Sequence, residues 1–135
     1  MKLAIFGILL LARALVAQDQ HVAWKLTVEP AAAPPGGKVL VHMAGHIDEG
    51  WHLYSMSTPA AMPTSFKVAP NPVIAGFRAL QPPPKRAFDA NFNSDTETYE
   101  GDVAFLLELG VKKDAPAGAV ELSFSARYQT CNPKM

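Results

Sequence analysis

One sulfur stands out among the side chains able to do chemistry. Cys131 is the single cysteine in 135 residues, and it follows a long run of alternating polarity. Thiol–disulfide exchange needs a thiolate, an accessible sulfur and normally a second thiol to resolve the mixed disulfide. Arg127 and Lys134 lie close in sequence and would favour the thiolate. A buried cysteine instead behaves as a small inert hydrophobe, and residue type alone leaves both roles open. His42 and His46, with Met43, Met56 and Met62, form a second set of donors that suits copper. Residues four apart on a strand share a face but sit about 13 Å apart. Both imidazoles would reach one ion only if Gly45 made a bulge. The adjacent carboxylates Asp48 and Glu49 fall in a turn and read as solvated. Neither a glycine-rich phosphate loop nor a serine nucleophile elbow is present, so the usual hydrolase signatures are missing.

Composition narrows the setting for that sulfur. Twelve Lys and Arg balance twelve Asp and Glu, which removes the basic footprint of a nucleic-acid binder. An apolar fraction of 49% with 18% charged residues argues for a packed core. The length suits one domain. Twelve prolines oppose long helices, because proline breaks a helix interior at a cost of about 3 kcal/mol. The first residues read as a separate unit. Met1-Lys2 is a short positive start, and Leu3 to Ala12 is an apolar run too short to span a bilayer. Arg13 interrupts it before Ala14-Leu15-Val16-Ala17. The segment reads as a secretory signal peptide over residues 1–17, which leaves a domain over residues 18–135. Removal of Lys2 and Arg13 takes the remainder to −2. A secreted domain meets an oxidising setting, where a lone cysteine pairs with another chain or stays reactive.

The elements that must position the sulfur are strands. Residues 21–29 alternate, with Val22, Trp24, Leu26 and Val28 on one face. Residues 38–47 repeat the pattern through Val39, Val41 and Met43. Trp51 to Ser55 is extended after the turn at Asp48-Glu49-Gly50. Ser65 to Val68 and Phe77 to Leu80 are short strand candidates stopped by prolines. Lys85 to Glu97 has no clear period and reads as a loop carrying two aromatics. Tyr99 to Val111 is a long strand with Val103, Phe105, Leu107 and Leu109 on one side. Val120 to Thr130 alternates most cleanly and carries Cys131 past its end on the polar side. About seven short strands between proline and glycine turns, without a helix, predict an all-β, immunoglobulin-like antiparallel β-sandwich; a barrel is the alternative. The chain stops shortly after the last strong strand, so a further strand is expected beyond Met135.

The order of several short motifs narrows the function. Tyr128-Gln129-Thr130-Cys131-Asn132 after a long strand resembles the N-terminal periplasmic domain of the DsbD-type thiol:disulfide interchange proteins. Residues 49–55 (EGWHLYS) resemble that family's glycine–aromatic–Leu-Tyr strand. Residues 88–101 (FDANFNSDTETYEG) resemble its loop and the following strand start. The resemblance runs over about residues 21–135. It implies a periplasmic domain of a protein-disulfide reductase that takes electrons from a thioredoxin-like domain, itself supplied through a membrane domain. The domain passes them to periplasmic disulfide proteins, cytochrome c biogenesis among the processes served. No cofactor, metal or nucleic acid enters that chemistry. Cys131 matches the first cysteine of the family's active-site pair, and the second is expected just beyond Met135. Phe92 is the best match to the family's aromatic cap over the pair, and Phe88 the next. Asp89 and Asn91 flank the cap and would tune the thiol. Tyr54, His52 and Tyr128 match positions near the site. The rival reading is a non-catalytic immunoglobulin-like interaction module in which Cys131 is incidental.

Overall fold

The computed structural model describes residues 7–16 and 21–134, with the backbone alone for residues 11–16. The described residues form twelve strands and no helix: β1 (Ile8–Val16), β2 (Val22–Glu29), β3 (Ala32–Ala33), β4 (Lys38–Ile47), β5 (His52–Tyr54), β6 (Ser65–Val68), β7 (Ile74–Leu80), β8 (Lys85–Asp89), β9 (Ser94–Tyr99), β10 (Asp102–Val111), β11 (Gly118–Arg127) and β12 (Thr130–Cys131). They hydrogen-bond into three four-stranded sheets, ordered β3-β1-β11-β6, β2-β4-β10-β7 and β12-β5-β9-β8. Every pairing is antiparallel except that of β1 with β11. The architecture is an immunoglobulin-like β-sandwich.

The period-2 patterns account for the core. Val39, Val41, Met43 and Ile47 of β4 point inward with Val103, Phe105, Leu107 and Leu109 of β10, all essentially buried. Leu122, Phe124 and Ala126 of β11 meet them from the opposing sheet, and Phe66 sits on Phe105 at a centroid distance of 5.1 Å. Trp24 contacts Phe66, Phe105 and Tyr128, which joins the two sheets through one indole. Its ring lies over Gly45. A Cβ at that position would stand 3.2 Å from both Trp24 Cζ3 and Val22 Cγ1. The glycine serves close packing, since both its partner strands stay in register across Trp24 and Val103. The expected bulge is absent.

Four other expectations need correction. Residues 85–97 are no loop: β8 and β9 form a hairpin with Arg86 opposite Glu97 and Phe88 opposite Asp95. Their alternation is hidden because nearly every β8 residue is exposed. Polar cross-strand pairs hold them, with Arg86 reaching Asp95 at 3.2 Å and Glu97 at 3.4 Å. Tyr99 to Val111 is divided by Gly101, whose φ of +69° ends β9 and starts β10 in a different sheet. The last long strand ends at Arg127, and Thr130–Cys131 belongs to another sheet. Residues 74–76 extend the strand expected from Phe77.

The apolar run expected to be a leader lies as β1 beside β11, Ile8 opposite Gly118 and Val16 opposite Ala126. Ile8 and Leu10 join the core while Leu9 is exposed. The expected cleavage at Ala17 lies outside the described residues.

Gly45→Val should lower stability by about 1–3 kcal/mol, the range for overpacking a filled core. Urea unfolding followed through tryptophan fluorescence checks this: the midpoint should drop with an unchanged slope.

Candidate functional site

The sheet ordered β12-β5-β9-β8 brings the sequence candidates together. Thr130 pairs with Leu53 and Cys131 with His52. Leu53 in turn pairs with Tyr99 and Tyr54 with Thr98, and Thr98 faces Lys85 across the hairpin. Because side chains alternate along each strand, Cys131, His52, Tyr54, Thr96 and Thr98 share one face. Leu53 and Tyr99 take the other face and enter the core. Cys131 is a free thiol of intermediate exposure. It lines a cavity of about 340 Å³ with His52, Lys85, Phe88, Asp89, Asn91, Thr96 and Thr98.

Asp89 organises the rim. At the tip of the β8–β9 hairpin its Oδ1 accepts the backbone N–H of Asn91 at 2.9 Å, and its carbonyl accepts that of Phe92 at 3.2 Å. Asn93 takes a φ of +49°, a conformation that asparagine tolerates. The other carboxylate oxygen of Asp89 accepts the hydroxyls of Tyr54 and Thr96, each at 3.4 Å. Tyr54 is 1% exposed. Burial first, then the hydrogen bond to Cys131 and the charges of Cys131 and Asp89, push its phenol well above the ordinary tyrosine range. Tyr54 therefore stays a neutral O–H donor beside the sulfur. Phe92 packs edge-on against Tyr54, with centroids 6.1 Å apart and planes at 86°. Phe88 is more open, at 65% exposure against 37% for Phe92, and borders the cavity itself.

Two expected neighbours lie elsewhere. Tyr128 is buried in the core with its ring 5.5 Å from Trp24 and does not line the cavity. Arg127 stands on β11 opposite Ser65. Lys134 borders a neighbouring cavity with Glu100, and Lys85 is the cation that lines the sulfur's own. The two histidines weighed for copper each face a carboxylate, His42 with Glu29 at 3.4 Å and His46 with Asp102 at 2.6 Å. No group of three metal-ligating side chains occurs among the described residues.

Sequence reasoning missed the clamp behind the site. Ser55 is fully buried and donates to Glu97 Oε2 at 2.9 Å, and the Ser57 hydroxyl donates to the same oxygen. Gln81 bridges Ser57 and the backbone N–H of Met56, while Thr58 accepts the N–H of Glu97. Thr64 donates to the Tyr54 carbonyl at 2.6 Å. The loop after β5 is thus tied to β9, and Tyr54 is held between them. Dispersed Ser, Thr and Gln residues give no periodic signal. The serine hydroxyls, followed by Arg86, hold the Glu97 carboxyl below the usual range.

Residues 16–135 match the family described as thiol:disulfide interchange protein DsbD, N-terminal. A crystal structure of the N-terminal periplasmic domain of ScsB from Proteus mirabilis superposes with a TM-score of 0.65 at 18% identity. It covers 85% of this chain, which spans 42% of that one. No curated protein sequence matches.

Glu97 supplies a pH test of the clamp. A carboxyl held low stabilises the fold above its unfolded value of 4.5, and this contribution disappears as pH falls through the lower folded value. Glu97→Gln should unfold at lower urea than the wild type at pH 7, and the gap should close towards pH 3. An equal gap at both pH values would show that the carboxylate charge is not what holds the loop. With 120 of its residues matched and the sandwich in place, this chain belongs to the DsbD N-terminal family of thiol:disulfide interchange proteins.

Proposed function

We propose that the domain works in the periplasm as an electron relay centred on Cys131, taking reducing equivalents from a thioredoxin-like domain and passing them to oxidised proteins. The observation that carries this is the seat of the sulfur. It is half-exposed at a cavity rim, paired to no other cysteine, and shares that cavity with the Lys85 and His52 side chains. A buried inert cysteine would have no cavity to open onto.

In the reducing direction the Cys131 thiolate attacks one sulfur of a substrate disulfide. A Cys131–substrate bond forms, the substrate S–S bond breaks, and the departing sulfur takes up a proton. A second thiolate then attacks Cys131 Sγ and frees the substrate as a dithiol. That second sulfur comes from outside these 135 residues, which hold one cysteine. A thioredoxin-like dithiol restores the relay by reducing the disulfide so formed. The full transfer moves two electrons. Export with removal of residues 1–17 would deliver the domain to that compartment.

The β8–β9 hairpin acts as the cover. Its tip carries Asp89, Asn91 and Phe92 over Tyr54, and Phe88 flanks the opening. A protein partner docking at Sγ pushes the hairpin tip aside, a gating movement of the kind lids perform.

The relay is tested with the whole chain carrying a thionitrobenzoate mixed disulfide on Cys131. A reduced thioredoxin-like domain should release the chromophore at least about ten times faster than glutathione at equal thiolate concentration. Equal rates would return the domain to the interaction-module reading. Phe92→Ala should speed alkylation of the reduced thiol by iodoacetamide by a few-fold, and an unchanged rate would remove Phe92 from the cover.

A further inference from the structure

The row that holds the sulfur contains two more ionisable groups. Cys131 is the direct partner of His52 across the β12–β5 ladder. Leu53 pairs with Tyr99, so one further step in the same register sets Glu100 opposite His52. The contact is made: His52 Nε2 lies 2.5 Å from Glu100 Oε1. Strands β12 and β5 and the residue that follows β9 thus set thiol, imidazole and carboxylate side by side. Directly opposed residues of an antiparallel pair have Cβ atoms about 4.5–5.5 Å apart, within reach of an imidazole. His52 and Cys131 border the same cavity, and the His52 side chain is 25% exposed.

We infer that His52 is the proton acceptor for Cys131 and that Glu100 positions its ring. The inference rests on Cys131 being the exchanging sulfur. In the neutral imidazole, Nε2–H donates to the Glu100 carboxylate, which leaves the Nδ1 lone pair for Sγ–H. The proton passes from Sγ to Nδ1, giving a thiolate beside an imidazolium that Glu100 neutralises. When the thiolate attacks a disulfide, the new S–S bond takes its electron pair. The departing thiolate then receives the proton from Nδ1, and the imidazole is neutral again. Nothing beyond the two disulfide partners is consumed. A nucleophile, an adjacent base and a third group orienting the base is the general arrangement for activating a sulfur.

The other groups around the cavity are less suited to the task. Tyr54 is a donor, for the reasons given above. Asp89 already accepts from Tyr54, Thr96 and the Asn91 N–H. A free carboxylate also lies further in proton affinity from a thiol than an imidazole does. Lys85 can only attract the thiolate. On its other side Glu100 lines a neighbouring cavity with the charged residues Asp48, Glu49 and Lys134.

The test is the rate of Cys131 alkylation by iodoacetamide from pH 5 to 9 in the whole chain. His52→Ala should be at least about ten-fold slower at pH 6, with its rate curve displaced to higher pH. Imidazole added to the buffer should restore much of that rate. Glu100→Gln, a change at an exposed position, should displace the curve in the same direction by a smaller amount. Curves that coincide with the wild type in both variants, or loss of rate in His52→Ala that imidazole fails to rescue, would overturn the assignment. Release of thionitrobenzoate by the thioredoxin-like dithiol is scored separately. Displaced curves without that release would reject the relay and leave the proton transfer standing. Release with coincident curves would do the reverse.

Discussion

Two backbone pairings, Thr130 with Leu53 and Cys131 with His52, decide what the sulfur can do. The chain leaves β11 at Arg127 and crosses to another sheet within three residues. Had the alternation simply continued, Cys131 would stand on the solvent side of the main sandwich. The change of sheet turns it instead towards a cavity whose other walls come from β5, β9 and the β8–β9 hairpin. A register slip of one residue would put Leu53, a core side chain, in the place of His52, because the side-chain period of a strand is two. The burial of Leu53 and Tyr99 therefore fixes the row in which the thiol sits.

The core was legible because burial imposes a period. Val39, Val41 and Met43, then Phe105, Leu107 and Leu109, show in sequence the faces they show in space. Gly101 was legible only as a turn former, and the division it makes in the Tyr99 to Val111 run follows from its positive φ. The hairpin was not legible. Its first strand is exposed on both faces, so nothing in Lys85 to Asp89 had to alternate. What orders it is charge and hydrogen bonding between residues on opposite strands, such as Arg86 with Glu97, eleven apart. The same holds for the Ser55, Ser57, Gln81 and Glu97 clamp, whose members lie up to 42 residues apart.

Site candidates fared according to the element that bears them. Tyr54 and His52 lie on a strand of three residues, so their shared face follows from spacing alone. Asp89, Asn91, Phe88 and Phe92 gather because a four-residue turn returns the chain on itself. Tyr128 keeps the core-facing phase of β11 and packs on Trp24, three residues before the phase is lost. Sequence proximity to the cysteine was a poor guide for that residue and for Arg127.

The surroundings of Cys131 are held with two degrees of firmness. Tyr54 is nearly sealed and is held by Asp89, Thr64 and the clamp. The hairpin tip above it is tied mainly by local bonds of Asp89 and by one edge-on ring contact. Contacts of that kind are few and open to water, which is where local opening is cheapest. Cys131, His52 and Tyr54 sit on paired strands, whereas Asp89, the acceptor for the Tyr54 hydroxyl, stands at the hairpin tip itself. Paired strands hold the thiol's row firmly, and the hairpin tip is the more loosely tied wall of the same cavity.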